Sequence, residues 1–112
     1  MTDTIFSKII NKEIPADIVY EDDLSIAFND ISPEAPTHIL VVPKKAIPKL
    51  SEINEKDENL LGHLLIVAKK ITDDNNIKDF RLVINNGSDA GQTVFHLHLH
   101  ILAGRNFGWP PG

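Results

Sequence analysis

The chain has 112 residues, of which 42% are hydrophobic, so one domain with a small core over residues 1–112 is expected. A formal charge of −5, from 11 basic and 16 acidic residues, argues against nucleic acid or an anionic membrane as the main partner. The absence of cysteine excludes disulfides, a thiol nucleophile and thiolate metal sites.

The N-terminal segment does not resemble a targeting sequence. It lacks a basic n-region and a continuous apolar h-region. Elsewhere no apolar run approaches the length needed to span a membrane. A cytoplasmic location without membrane association is therefore expected.

Residues 2–12 are predicted to form a short amphipathic helix. Either Asp3 or Thr2 could cap its N-terminus, and Pro15 ends the segment. Packing of this helix on a sheet is the simplest interpretation of its apolar stripe. The stripe has helical spacing and consists of Ile5, Phe6, Ile9 and Ile10.

Three strands are predicted next. Residues 18–23 and 24–29 form two strands joined at an acidic turn, and Asp30 closes the second. After a proline-rich loop, residues 38–43 form a β-branched strand that opens on His38.

The second half of the chain contains the longest predicted helix, residues 57–72. Its apolar face is wide enough to suggest that it buries a second side, against another chain. His63 lies on this helix and is interpreted as a surface or interface residue. A strand over 80–85 and a Gly/Asn-rich loop over 85–95 follow. The elements together predict an α+β fold with about five antiparallel strands, one long helix and one short helix.

The loop leads into a segment, residues 95–102, in which histidine alternates with an apolar residue. Period two is the strand period, so His96, His98 and His100 are expected on one face, roughly 6.5–7 Å apart. The opposite face would carry the apolar residues Leu97, Leu99 and Ile101.

Three interpretations of the histidines remain open. They could be structural. They could bind zinc, with neighbouring histidines as two ligands and His38 as a third. They could also perform nucleophilic catalysis at phosphorus, because a neutral imidazole is a good nucleophile near pH 7. His98 is then the best-supported nucleophile, because a histidine on either side could assist it.

The segment His96-Leu-His-Leu-His-Ile-Leu resembles the signature of the histidine triad (HIT) family, His-φ-His-φ-His-φ-φ, where φ is apolar. The third histidine, His100, and the closing Trp109-Pro-Pro-Gly resemble the HINT branch, the histidine triad nucleotide-binding proteins. Further matching segments are Asp3-Thr-Ile-Phe, Ile14-Pro-Ala, Phe28-Asn-Asp-Ile-Ser-Pro, Ala35-Pro-Thr-His, Val42-Pro-Lys-Lys, Leu60-Leu-Gly-His-Leu and Asn85-Asn-Gly-Ser-Asp-Ala-Gly-Gln.

The resemblance implies one HIT domain over residues 1–112 and a homodimer whose sheet continues across both subunits. It also implies a hydrolase that cleaves the P–N bond of purine nucleoside 5′-phosphoramidates, such as adenosine 5′-phosphoramidate or aminoacyl and lysyl conjugates of AMP. Neither a metal nor a cofactor would be needed, and a covalent nucleotidyl-histidine would form. A non-catalytic nucleotide-binding module is the alternative function.

The resemblance also assigns candidate roles. His98 corresponds to the nucleophile, His100 and His38 to phosphate-side and supporting histidines, and His96 to an orienting member of a relay. Asp30 corresponds to the carboxylate that accepts from ribose hydroxyls, and Trp109 to a tail residue near the partner's active site. Asn85, Gly91, Gln92, Thr93 and Val94 match the phosphate and ribose segment, and Ile5, Phe6, Ile9, Phe28 and Ile31 match the base slot.

Three residues depart from the family pattern. Thr93 replaces a frequent serine, and its hydroxyl could still bond the leaving nitrogen. Asn29 stands where relatives often have histidine, and it is counted with the nucleotide-binding residues. Asn86 replaces a frequent acidic residue.

Overall fold

A five-stranded antiparallel sheet forms the centre of the protein in the computed structural model, which describes residues 3–112. The strands lie in the order β1-β2-β3-β5-β4, so β1 and β4 form the edges. In residues 3–112 the strands and α-helices are α1 (Ile5–Ile10), β1 (Ile18–Glu21), β2 (Ser25–Asn29), β3 (Thr37–Pro43), α2 (Glu58–Asp74), β4 (Phe80–Val83) and β5 (Leu99–Ala103). This architecture confirms the predicted α+β class.

The first helix is shorter than predicted. Its N-cap is Thr4, whose side chain accepts from the Ser7 backbone N–H at 3.1 Å, while the Thr4 backbone N–H donates to Ser7 Oγ at 2.8 Å. This capping box makes Asp3 the wrong prediction for the cap, and Thr2 lies outside the described residues. The helix ends at Ile10, and Lys12 follows with φ of 62°.

The two faces of the sheet are covered differently. The long helix α2 covers one face, where Leu64 and Val67 pack against Leu97, Leu99 and Ile101. The short α1 places Phe6 and Ile9 on the other face, against Phe28 and Leu40 among others. Because six helical residues cannot cover a five-stranded sheet, part of this second face stays open as a cleft.

The histidine segment is only partly a strand. Strand β5 begins at Leu99, so His96 and His98 precede it. The ladder with β3 ends at the pair Val41 and Leu99, and Leu97 instead donates its backbone N–H to Ile47 O at 2.7 Å. The expected alternation nevertheless persists, because Leu97, Leu99 and Ile101 are all buried on the α2 side. The described helices include none long and apolar enough to cross a membrane.

Candidate active site

An open cleft of about 590 Å³ lies between α1, the end of β2 and the loop that precedes β5. His98, His100 and His38 line its polar end. Its other walls include nearly all the residues expected to bind nucleotide, namely Ile5, Phe6, Ile9, Phe28, Asn29, Asp30, Ile31, Asn85, Gly91, Thr93 and Val94.

The imidazole of His98 is held in one tautomer. Its Nδ1 lies 2.7 Å from the backbone oxygen of His96, which can only accept, so Nδ1 carries the proton. The lone pair is therefore on Nε2. The ring is buried and packs against Phe6 in a T-shaped arrangement, with 4.9 Å between ring centroids. His98 thus offers an unprotonated nitrogen from a fixed ring.

A series of hydrogen bonds fixes His100 in the tautomer opposite to that of His98. The Glu34 backbone N–H donates to His38 Nδ1 at 3.0 Å, so the proton of a neutral His38 is on Nε2. His38 Nε2 then donates to His100 Nδ1 at 2.9 Å, which leaves the His100 proton on Nε2. Among the described residues nothing accepts from this buried Nε2. An unpaired buried N–H is costly, so a ligand acceptor would stabilise it.

The electrostatic environment favours neutral histidines. Burial lowers the pKa of His98, although its hydrogen bond to the His96 carbonyl opposes the shift. Burial lowers the pKa of His100 to about 4, and electrostatic repulsion from the neighbouring imidazoles acts in the same direction. Both rings are therefore neutral at pH 7, as nucleophilic attack by one and hydrogen-bond donation by the other require.

Asp30 lies beside the histidines at the end of β2. Its Oδ1 accepts from the Ser32 backbone N–H at 2.8 Å, and its Oδ2 is 3.5 Å from His38 Nε2. The Asp30 carboxylate and the rings of His38 and His100 offer one ligand atom each within 4.8 Å of one another. This set could hold a divalent metal, but a metal there would have to displace the hydrogen bond between the two histidines. It differs from the zinc set predicted from neighbouring histidines of the triad.

Two of the predicted site residues do not line the cleft. The His96 ring donates from Nε2 to Pro43 O at 2.7 Å and lines a smaller pocket, so it reaches His98 only through its backbone oxygen. Gln92 is 3% exposed and braces the loop, because its Oε1 accepts from Gly87 N and its Nε2 donates to Pro48 O and Val94 O.

Three other residues singled out from the sequence also lie outside the cleft. Asn86 accepts the Ser51 backbone N–H at 2.8 Å. His63 lies on α2 with its Nε2 2.7 Å from Asp22 Oδ2. Trp109 is 85% exposed in the single chain.

Sequence reasoning missed several cleft residues. Leu40 shares a face of β3 with His38 through the period of two, and that pattern was sufficient to find it. Ser32 and Glu34 come from the proline-rich loop, where no periodicity indicates direction. The other missed residues of the cleft are Ile14, Pro15 and Ala16.

Comparison with known proteins agrees with this geometry. The family model described as the HIT domain matches residues 11–107, and the chain belongs to this family. An uncharacterized HIT-like protein of Synechocystis sp. is 65% identical over 111 residues, covering 98% of this chain and 97% of the relative. A HIT family hydrolase from Legionella pneumophila is 46% identical with a TM-score of 0.95, covering 98% of this chain and 100% of its own.

A more distant structure is the histidine triad nucleotide-binding protein from Candida albicans. It is 34% identical with a TM-score of 0.80, and the match covers 96% of this chain and 83% of that one. The same fold therefore extends to a relative whose name includes nucleotide binding.

Proposed function

We propose that this HIT protein is a HINT-type hydrolase that cleaves the P–N bond of purine nucleoside 5′-phosphoramidates. In this proposal residues 1–112 act as one HIT domain without metal or cofactor. The observation that carries the proposal is the opposed protonation of two adjacent rings. His98 presents a lone pair on Nε2, and His100 presents an N–H on Nε2, with 4.9 Å between ring centroids.

The cleft combines an apolar slot with polar groups, as binding of a nucleotide requires. The side chains of Phe6, Ile9 and Phe28 form an apolar slot for a purine, and Asp30 lines the same cleft with its Oδ2 3.5 Å from His38 Nε2. Asn85 and Gly91 line the same cleft, and their backbone and amide N–H groups could bind phosphoryl oxygens. The names of the Legionella and Candida relatives, a hydrolase and a nucleotide-binding protein, support the same assignment.

The first step is attack by His98 Nε2 on the α-phosphorus. A bond forms between this nitrogen and phosphorus as the P–N bond to the amine breaks, and its electron pair stays with the leaving nitrogen. Because an amide anion is a very poor leaving group, that nitrogen must take a proton, delivered through His100 Nε2 and the Thr93 hydroxyl. A proton from solvent replaces it on His100, so that this ring ends the step neutral. The products are a free amine and a nucleotidyl-His98.

The second step is hydrolysis of this intermediate. Water attacks phosphorus, the bond to His98 Nε2 breaks to release the nucleoside monophosphate, and the proton lost by the water returns to solvent. The His96 carbonyl holds the proton on His98 Nδ1 throughout, so the same tautomer is regenerated. Two in-line displacements predict net retention of configuration at phosphorus.

The proposal includes a homodimer. Leu65 and Ile66 of α2 are each 52% exposed, and Phe80 lies exposed on the edge strand β4. Exposed apolar residues on α2 and the unpaired edge of β4 both favour association with a second copy of the chain. Such a dimer would join two sheets and cover these apolar residues.

One experiment separates this function from its alternatives. Hydrolysis of a fluorogenic adenosine phosphoramidate is measured for the wild type and for His98→Ala, each with and without a chelator. Turnover that persists in chelator and disappears in His98→Ala is expected, while AMP binding is retained in the variant. A wild type that binds AMP without turnover would instead be a binding module.

The metal alternative has an observation in its favour, namely the cluster of Asp30, His38 and His100. Loss of turnover on chelation, restored by zinc, would favour that alternative. A net inversion at phosphorus would contradict the covalent intermediate.

A further inference from the structure

The loop between β2 and β3 is held by side chains from other parts of the chain. Residues 31–36 of this loop make no backbone–backbone hydrogen bond within the part of the chain that the structure describes. Glu34 is anchored at both of its backbone groups, because its N–H donates to His38 Nδ1 at 3.0 Å and its carbonyl accepts from Arg105 Nε at 3.2 Å. The position of the Glu34 backbone therefore depends on one side chain inside the cleft and one outside it.

The turn after β5 brings Arg105 to this loop. Gly104 has φ of 95°, and a Cβ atom at this position would lie 2.8 Å from the Cβ of Pro36. Only glycine fits both this backbone conformation and this close approach. Because the pairing of β3 with β5 ends at Thr37 and Ala103, the chain turns directly against the loop. Arg105 is the next residue and is thereby placed beside it.

An aromatic ring restrains the Arg105 side chain. The Arg105 guanidinium carbon lies 4.3 Å from the centroid of the Phe107 ring, within the range of a cation–π contact. Its Nη1 also donates to Asn106 O at 3.1 Å. Arg81 of the edge strand β4 lies 5.2 Å from the same centroid and donates to Gly108 O at 2.9 Å. The segment after β5 therefore holds Arg105 in the orientation that reaches the loop.

We propose that Arg105 is a positioning residue, which holds the Glu34 backbone in place and thereby sets the tautomers of His38 and His100. The Glu34 N–H occupies His38 Nδ1, so His38 donates from Nε2 and His100 keeps its own proton on Nε2. Without the bond from Arg105, the loop can move and His38 Nδ1 loses its donor. The inference deepens the proposed function, because its effect on rate rests on proton donation by His100.

The expected effect is a shift in a tautomer equilibrium. One hydrogen bond changes an equilibrium constant by roughly 2- to 10-fold. In Arg105→Ala the ratio of the Nε2–H to the Nδ1–H tautomer of His38 should fall by a factor in this range. The kcat for phosphoramidate hydrolysis should fall by at most the same factor. KM should change little, because Arg105 does not line the cleft.

Nitrogen-15 NMR of the imidazole rings measures the tautomers without any turnover. Wild type, Arg105→Ala and Arg105→Lys are labelled with nitrogen-15 histidine and compared at neutral pH. We expect wild-type protons on Nε2 of His38 and His100 and on Nδ1 of His98. In Arg105→Ala the first two rings should shift toward mixed tautomers, and His98 should stay unchanged because a backbone carbonyl holds it. Arg105→Lys should retain part of the wild-type pattern, because an ammonium group can still donate to the loop.

The chain contains one other arginine, which provides a matched control. Arg81→Ala removes a contact to Phe107 and the bond to Gly108 O, but it removes no bond to the loop. Its histidine tautomers should match those of the wild type. Arg105→Gln, whose side chain is too short to replace the guanidinium, repeats the test in a second variant that keeps a polar group at this exposed position.

Unchanged tautomers in folded Arg105→Ala and Arg105→Gln would overturn the inference. An equal shift in Arg81→Ala would also overturn it, because the effect would then be a general loosening of the C-terminal segment. A simultaneous change at His98, with a lowered thermal unfolding midpoint, would indicate loss of the cleft and would refute a positioning role. If the tautomers shift as expected but the wild type hydrolyses no phosphoramidate, the inference on Arg105 stands and the proposed reaction fails. Wild-type turnover with unchanged tautomers in the variants would retain the reaction and refute the inference.

Discussion

His38 donates a hydrogen bond from Nε2 to His100 Nδ1 across 2.9 Å, although 62 residues separate the two histidines in the chain. The bond is possible because β3 pairs with β5, with Leu40 opposite His100 and His38 opposite Leu102. It begins at a backbone N–H, that of Glu34, whose protonation cannot change near neutral pH. This main-chain group thereby determines which nitrogen of His38 and of His100 donates and which accepts.

Replacement of His38 by phenylalanine should impair catalysis more than binding. The variant keeps an aromatic ring but removes the acceptor for Glu34 N–H and the donor to His100, so His100 is free to change tautomer. We expect kcat to fall by up to about 100-fold, the lower end of what a positioned proton donor contributes, with KM little changed. His63→Phe makes the same chemical change outside the cleft, and an equal fall in that control would refute a specific role for His38.

The pH dependence of kcat/KM should have its acid limb below pH 6.5. Catalysis needs neutral His98 and His100, and burial lowers the pKa of both below the usual 6.5. The rate should stay level as the pH falls from neutrality to about 6.5 and decline only in more acidic solution. A pH profile with its acid limb at or above 6.5 would contradict neutral, buried histidines at this site.

Stability should also decline on the acid side. His96, His98 and His100 have lowered pKa values in the folded state, mainly through burial, so the unfolded chain binds more protons below pH 6.5. Their contribution is complete above pH 6.5 and is lost as the pH falls, for His100 down to about 4. Urea unfolding at about pH 5 and about pH 7 measures this. His100→Asn should show a smaller difference between the two, and an unchanged difference would exclude His100 as a contributor.

Gln92→Ala should destabilise the loop beside the cleft. It leaves the Gly87 N–H without its acceptor and the carbonyls of Pro48 and Val94 without a donor. The loss should be about 2 kcal/mol in the free energy of unfolding, within the usual cost of leaving buried polar groups unpaired. Denaturant unfolding gives the value. Asn86→Ala, which removes one exposed contact to Ser51, should cost much less, and equal costs would argue against the brace.

A charge on the exposed face of α2 should prevent dimer formation. Ile66→Lys places an ammonium group where the proposed interface needs an apolar surface, whereas the half-exposed side chain is not required by the core of one subunit. Sedimentation should show a dimer for the wild type and a monomer for Ile66→Lys. Lys69→Ala, also on α2, removes an exposed contact to Asp73 and should remain dimeric. A monomeric wild type would refute the interface.

The local features of the fold could be read from the sequence because they depend on near neighbours. The alternation of histidine and leucine predicted that Leu97, Leu99 and Ile101 share a buried face, and α2 covers them. The wide apolar face of residues 57–72 likewise predicted the long helix, which spans Glu58–Asp74. The cap of α1 was missed because Thr2, Asp3 and Thr4 are all suitable N-cap residues, and only the reciprocal bonds with Ser7 distinguish them.

The tertiary structure decided which groups meet and which atom of each ring carries the proton. Pairing of β3 with β5 brings His38 to His100. The backbone carbonyl of His96 orients His98, whereas the His96 ring bonds to Pro43 O away from the cleft. The sequence could not separate Gln92, which braces the loop, from its neighbour Thr93, which lines the cleft. Residue identity and spacing determine the chemistry available to the chain, but hydrogen bonds between distant segments determine the direction in which each group presents it.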